Sequence, residues 1–148
     1  MSEKPIPEDE WRTIVENAPL VSVDLVVEHD GGVVLGKREN EPVKGEWFVP
    51  GGTVRKNEPR TEAVHRVANE ELGESVEIVE TLGTYDHLYE TSEIEGVDSK
   101  HYVATAYRCE FDVEDPDVVG DDQHSELDVF RPPFDDLHPY VRQSLDAL

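Results

Sequence analysis

A chain of 148 residues with 13 Lys plus Arg against 35 Asp plus Glu, a formal charge of −22, has room for one core and offers no basic surface to a nucleic-acid backbone. It has no apolar run near the ~20 residues that cross a bilayer, and its Pro- and acid-rich start does not resemble a secretory signal. The single cysteine, Cys109, rules out an internal disulfide framework and a cysteine-based zinc cluster, so the expectation is one cytoplasmic domain over 1–148 with no membrane and no nucleic-acid partner.

In chain order, residues 6–17 put Trp11, Ile14 and Val15 on an i, i+3, i+4 stripe and predict a short amphipathic helix, so 1–17 forms an N-terminal helix and arm. Pro19–Glu28 is β-branched and predicts a strand. His29-Asp30-Gly31-Gly32 supplies a tight turn, and Val33–Lys37 is the hairpin partner. A polar loop over 40–45, a short strand Trp47–Val49 and a break at Pro50-Gly51-Gly52 follow. Pro59–Leu72 reads as a helix stopped by Gly73. Val76–Tyr85 and His101–Phe111 predict strands around an acidic loop, Leu127–Phe130 a brief strand, and 139–148 a C-terminal helix. The pattern is α+β, a mixed sheet flanked by few helices.

Projected at about 100° per residue, Ala63, Val64, Val67, Ala68 and Leu72 share one apolar stripe that faces the core. Glu71 falls at the centre of that stripe, where a carboxylate costs on the order of several kcal/mol unless it is paired or binds a metal. A helix end fraying into solvent at Gly73 is the plainer alternative. Arg66 and Glu70 lie together off one side and read as a solvated i, i+4 ion pair. Gly51-Gly52 is either a simple turn or a close backbone approach to a ligand, with carbonyls that serve as hard oxygen donors.

The combined spacing is Gly52, five residues, Glu58, seven residues, Arg66, then Glu70-Glu71-Leu72-Gly73. It resembles the Nudix box, here spanning 51–73, the loop–helix–loop of hydrolases that split nucleoside diphosphates linked to another group. The box departs from the usual pattern at Val67, normally glutamate, and at Glu74, normally aliphatic. Losing that carboxylate removes a ligand for a second or third divalent ion, and with it support for the usual attack of metal-activated water on phosphorus.

A reduced box of this kind is similar to that of GDP-mannose mannosyl hydrolases. The likeness extends through Pro19–Asp24, Leu35–Arg38, Gly45–Gly52, His101–Val103 and Gln123-His124. It implies the Nudix fold, an α/β/α sandwich, usually as a homodimer. It also implies hydrolysis of the glycosidic C–O bond of a GDP-sugar, GDP-mannose first, with inversion and one Mg²⁺, or Mn²⁺ in its place. The metal is then held by the Gly51 carbonyl, Glu71 and Gln123, with Glu70 as a possible addition. His124 becomes the general base, an imidazole suited to accepting a proton near neutrality. Arg38, Asp24 and Arg66 complete the catalytic group, and Trp11, Arg38, His87 and Tyr102 bind substrate.

Without the resemblance these residues keep plainer readings. His124 reads as a solvated loop histidine, Asp24 as an outward strand residue, and Arg38 as a surface cation. His87 and Tyr102 read as strand residues with satisfied polar tips, and Trp11 as packing for the first helix or a dimer partner. Thr53 stands where an arginine is common in that subfamily, which removes a phosphate contact that Arg55 or Lys56 would have to replace. Two other functions compete: a diphosphatase that attacks phosphorus with Glu58 and Glu70 as extra ligands, and a non-catalytic nucleotide-sugar binder.

The acids are scattered through the chain and only five of its cations are lysine. Recurrent apolar patterning argues for a folded core rather than disorder. Self-repulsion weakens such a fold at low salt, and a Debye length of ~3 Å at molar salt screens it, which gives the expectation of a halophile's protein. The melting temperature is expected to rise between low and molar salt; a flat or falling melting temperature contradicts this reading.

Overall fold

β1 (Leu20–His29) is apolar on both faces, which suits it to the middle of a sheet. Val23, Leu25 and Val27 face one core and Val26 the other, all fully buried. The computed structural model describes residues 6–116 and 126–148. Over these residues the sheet has seven strands, in the order β3-β2-β1-β6-β5, with β4 pairing β1 and β7 pairing β2.

β2 (Gly32–Lys37) returns antiparallel from β1 through Asp30-Gly31, whose positive φ values of 52° and 78° suit the primed turns of two-residue hairpins. β3 (Trp47–Phe48) adds to the far edge of β2, and β4 (Gly51–Thr53) pairs antiparallel with the first half of β1, Asp24 opposite Gly51. β5 (Val76–Tyr89) and β6 (Lys100–Phe111) form a long antiparallel pair, and β6 runs parallel to β1, Leu20 opposite Tyr102. β7 (Leu127–Phe130) pairs with β2.

α2 (Arg60–Val67) covers one face of the sheet and continues into a π-helical turn, Ala68–Leu72. The apolar stripe read from the sequence is the buried one: Ala63, Val64, Val67, Ala68 and Leu72 pack against Val23, Leu25 and Val27. α3 (Pro139–Asp146) covers the opposite face, burying Val141 and Leu145 against Val26, Val33 and Leu35. α1 (Glu8–Asn17) closes a third cluster with Val15 against Leu20 and Val97. The result is the α+β sandwich, a mixed sheet between helices.

Three expectations are corrected. Gly51-Gly52 is not a break but part of a strand, because the first half of β1 has an open edge on which β4 pairs. The fifth strand runs on to Tyr89, past the expected Tyr85, and β6 starts at Lys100, one residue earlier than expected. Pairing out to Tyr89–Lys100 explains both, with bulges between Ile78 and Glu80 and between Thr81 and Gly83 absorbing the register shifts. The second helix does not continue as a regular α-helix to Leu72 but widens into the π-helical turn before Gly73 closes it at φ 68°. In that turn Ala68 and Leu72 are buried while Glu71 is only half-buried, so it leaves the centre of the core stripe where a regular helix projects it.

Candidate functional site

A two-lobed cleft opens where β1, β4 and the end of β2 meet. Arg38, Phe48, Val49 and Gly51 line both lobes. The larger, about 240 Å³, adds Lys37, Asn40, Glu71 and Leu127. The smaller, about 100 Å³, adds Ser22, Asp24, His87, Tyr89 and Tyr102. Arg38, Asp24, Gly51, Glu71, His87 and Tyr102 of the sequence reading are therefore brought together. Gln123 and His124 lie outside the described residues.

Arg38 sits just beyond the end of β2, and its Nε donates to the Pro42 carbonyl at 2.8 Å, which braces the guanidinium between the lobes. Asp24 interrupts the apolar β1 and stands over Gly51. A Cβ at Gly51 would lie 2.6 Å from Asp24 Oδ1 and 2.8 Å from the Val23 carbonyl, so only glycine fits beneath this carboxylate. Burial pushes the Asp24 carboxyl up from 3.8 to about 7, and Arg38 opposes the shift. Tyr89 is pushed upward too, by burial first and then by the charge of Asp24.

His87 is 5% exposed, and its Nε2 has no hydrogen-bond partner among the described residues. Burial lowers it from 6.5 to about 4, with His138 adding to the shift and Gln143 and Asp86 opposing it. It is therefore a neutral imidazole near pH 7, a donor or acceptor for an uncharged group rather than a phosphate cation.

Arg66 faces neither lobe. Its Nε and Nη2 donate to the two carboxylate oxygens of Glu58 at 2.8 and 3.0 Å, Nη2 also to the Thr53 carbonyl at 2.9 Å, and Nη1 to Glu70 at 3.2 Å. Arg55 lies 3.6 Å from Glu70. The expected Arg66–Glu70 pair is present, but as one arm of a half-buried clamp that ties the loop after β4 to α2. The hydrogen bonds from Arg66 hold the Glu58 carboxyl below its ordinary value.

Trp11 lines neither lobe. It packs with Ile14, Ile94 and Tyr102 against the third cluster, with Lys100 Nζ 5.8 Å from its ring. Sequence reasoning missed Phe48 and Tyr89. Phe48 lies within the quoted Gly45–Gly52 segment, and Tyr89 follows His87 by two along one strand, the spacing that keeps side chains on one face.

Among the described residues no group of three or more His, Cys, Asp and Glu could hold a metal ion. Gly51, Glu39 and Glu71 are among the residues that line the larger lobe. So sparse a hard-oxygen set fits Mg²⁺, which takes one or two carboxylates and completes its shell with substrate phosphates and water.

Comparison with known proteins gives a family model, described as the NUDIX domain, that matches residues 18–146. The chain is 62% identical over 143 residues to the low-salt glycan biosynthesis protein Agl8 of Haloferax volcanii, covering 97% of this chain and 90% of that protein. It is 42% identical over 67 residues to an ADP-ribose pyrophosphatase of Methanocaldococcus jannaschii, a match covering 45% of this chain and 40% of that protein. A crystal structure of a MutT Nudix hydrolase from Burkholderia pseudomallei superposes with a TM-score of 0.68 at 31% identity, covering 89% of this chain and 99% of that one.

Asp24 gives the cleft a measurable signature. With a folded pKa of about 7 against an ordinary 3.8, the folded chain keeps a proton that the unfolded chain has lost. Stability therefore falls as pH rises from about 4 through 7. Asp24→Asn is expected to stabilise the fold by about 1–3 kcal/mol at pH 8, discounted for partial exposure and for the lost Arg38 attraction, and by nearly nothing at pH 4. Denaturant melts of both proteins at the two pH values check this; an equal effect at both contradicts it.

Proposed function

The chain belongs to the Nudix domain family, and from that premise we propose that it hydrolyses a GDP-sugar, GDP-mannose first among them, at the anomeric carbon to give GDP and free sugar with inversion. The observation that carries this is the fate of the box carboxylates. Position 67 is a buried valine, Glu58 and Glu70 are engaged by Arg66 and Arg55, and Glu71 is the box carboxylate that lines the cleft. Such a site suits one ion bound largely through a diphosphate. Among the described residues, Glu71 is the one carboxylate of the box at the cleft, where attack on phosphorus ordinarily uses several.

In this reading the Gly51 carbonyl, Glu71 and Gln123 would hold Mg²⁺ or Mn²⁺, which would supply positive charge to the diphosphate leaving group. Arg38, between the lobes, neutralises the same oxygens as charge develops on them. Asp24, His87 and Tyr102 bind the sugar side in the smaller lobe, and Tyr89 walls it. His124 takes the proton from water attacking the anomeric carbon. Arg66 acts at one remove, by fixing the loop on α2. The packing of Trp11 leaves stacking on guanine without structural support, and its role becomes anchoring α1. The acidity of the chain and its likeness to a low-salt glycan biosynthesis protein of Haloferax volcanii support sugar-nucleotide chemistry in a salt-rich cytoplasm, with a homodimer as the proposed assembly.

The match to an ADP-ribose pyrophosphatase favours a second reading, cleavage at phosphorus. Turnover of GDP-mannose with Mg²⁺ in ¹⁸O-water at molar salt separates the two. Label is expected in the released sugar, and His124→Ala is expected to lower kcat by about 10²–10⁴-fold. Label in a phosphate product overturns the proposal in favour of the second reading. GDP-mannose that binds and persists overturns both in favour of a non-catalytic binder.

A further inference from the structure

The C-terminal helix contributes no lining residue to either lobe, yet a chain of rings runs through it from one side of the cleft to the other. Phe48 packs on His138 at 5.1 Å, His138 on Tyr140 at 5.0 Å, and Tyr140 on His87 at 4.4 Å. Tyr89 and then Tyr102 continue it at 5.4 Å from Tyr140 and 6.2 Å from each other. The chain begins and ends on residues of the cleft, and its middle belongs to the first turn of α3 and its cap.

Tyr140 is the fixed point. Its Oη accepts from the Leu88 N–H and donates to the Leu88 carbonyl, both at 3.0 Å, standing in for a neighbouring strand on the outer edge of β5. Its backbone N–H donates to His138 Nδ1 at 3.1 Å, the bond that caps α3. Held at both ends, the phenol ring lies within 6° of the plane of His87. His87 has a side-chain hydrogen bond with Gln143 of the same helix, while its Nε2 is unpartnered among the described residues, so the stack on Tyr140 is what sets the plane of the ring.

We propose that Tyr140 is a positioning residue for His87: its clamped ring fixes the plane of the imidazole bordering the smaller lobe, and so the contact that His87 makes with the sugar end of the substrate. This rests on the reading of that lobe as the sugar site. The two bonds to Leu88 orient the ring, the stack passes the orientation to His87, and α3 becomes a back wall of the cleft although it lies some 50 residues beyond β5 in the chain. A residue that only stabilised α3 would need neither the parallel stack nor the paired bonds to the strand that carries His87.

The test reads His87 directly and needs no substrate. The groups facing it are His138 and Gln143 from α3, Asp86 from its own strand, and Asp24 and Arg38 across the lobe; all are kept in Tyr140→Leu and Tyr140→Phe. By NMR titration, the His87 midpoint is expected to move from about 4 toward 6.5, by roughly one unit or more in Tyr140→Leu and about half a unit in Tyr140→Phe, as water reaches a ring no longer held. A midpoint unchanged in folded Tyr140→Leu overturns the proposal. If that variant does not fold, Tyr140→Phe decides by the same criterion. In kinetics, Tyr140→Leu is expected to raise KM about 10-fold alone and under about 2-fold in a His87→Ala background, because the two act as one unit. Equal effects in both backgrounds overturn it. A wild-type chain that turns over no GDP-sugar defeats the functional reading instead, and the titration still decides the role of Tyr140.

Discussion

Arg66 is the residue on which the geometry of the cleft depends. Four hydrogen bonds from one planar cation go to the end of β4, the loop after it and the helix that follows: to both oxygens of Glu58, the Thr53 carbonyl and Glu70. Half-buried pairs of this kind are far more costly to break than exposed ones, because removing the cation leaves two carboxylates facing each other with little water between them. The clamp fixes the distance between β4, which supplies Gly51, and the π-helical turn, which supplies Glu71. Without it the larger lobe has no defined floor. It also ties Glu58 and Glu70 into the clamp, while Glu71 lines the larger lobe.

The same economy governs the smaller lobe, where Asp24 stands in a strand that is apolar on either side of it and directly over a glycine that no other residue could replace. A carboxyl pushed up to about 7 is a standing cost to the fold above that pH. Sites that bind polar ligands carry such costs because the ligand supplies the missing partners. A chain already bearing a charge of −22 adds to the strain, and screening by salt relieves the general repulsion but not the local desolvation.

Much of this was legible in the residues alone. The stripe Ala63, Val64, Val67, Ala68 and Leu72 is the buried one, because apolar periodicity and burial are the same fact seen twice. The anomaly of Glu71 was visible as an acid where the period asks for an apolar side chain, although its resolution by a widened turn was not, since no residue type announces a π-turn. β4 was hidden because Gly51-Gly52 reads locally as a break, and only the open edge of β1 makes it a strand. The clamp exceeded its reading for a related reason. Arg66 and Glu70 declare an i, i+4 pair, but Glu58 and the Thr53 carbonyl join it only once the loop folds back. Tyr140 left no signal at all, because its partner Leu88 is distant in the chain and its role lies in backbone groups that every residue possesses.

The proposed reaction needs one ion per cleft, with Glu71 as the carboxylate of the box that would hold it. Titration of Mn²⁺ into the chain with GDP present, followed by electron paramagnetic resonance, measures this directly. One tight ion per chain, lost in a folded Glu71→Gln variant, is the predicted result. Two or more ions per chain, or a single ion that survives that substitution, contradicts it.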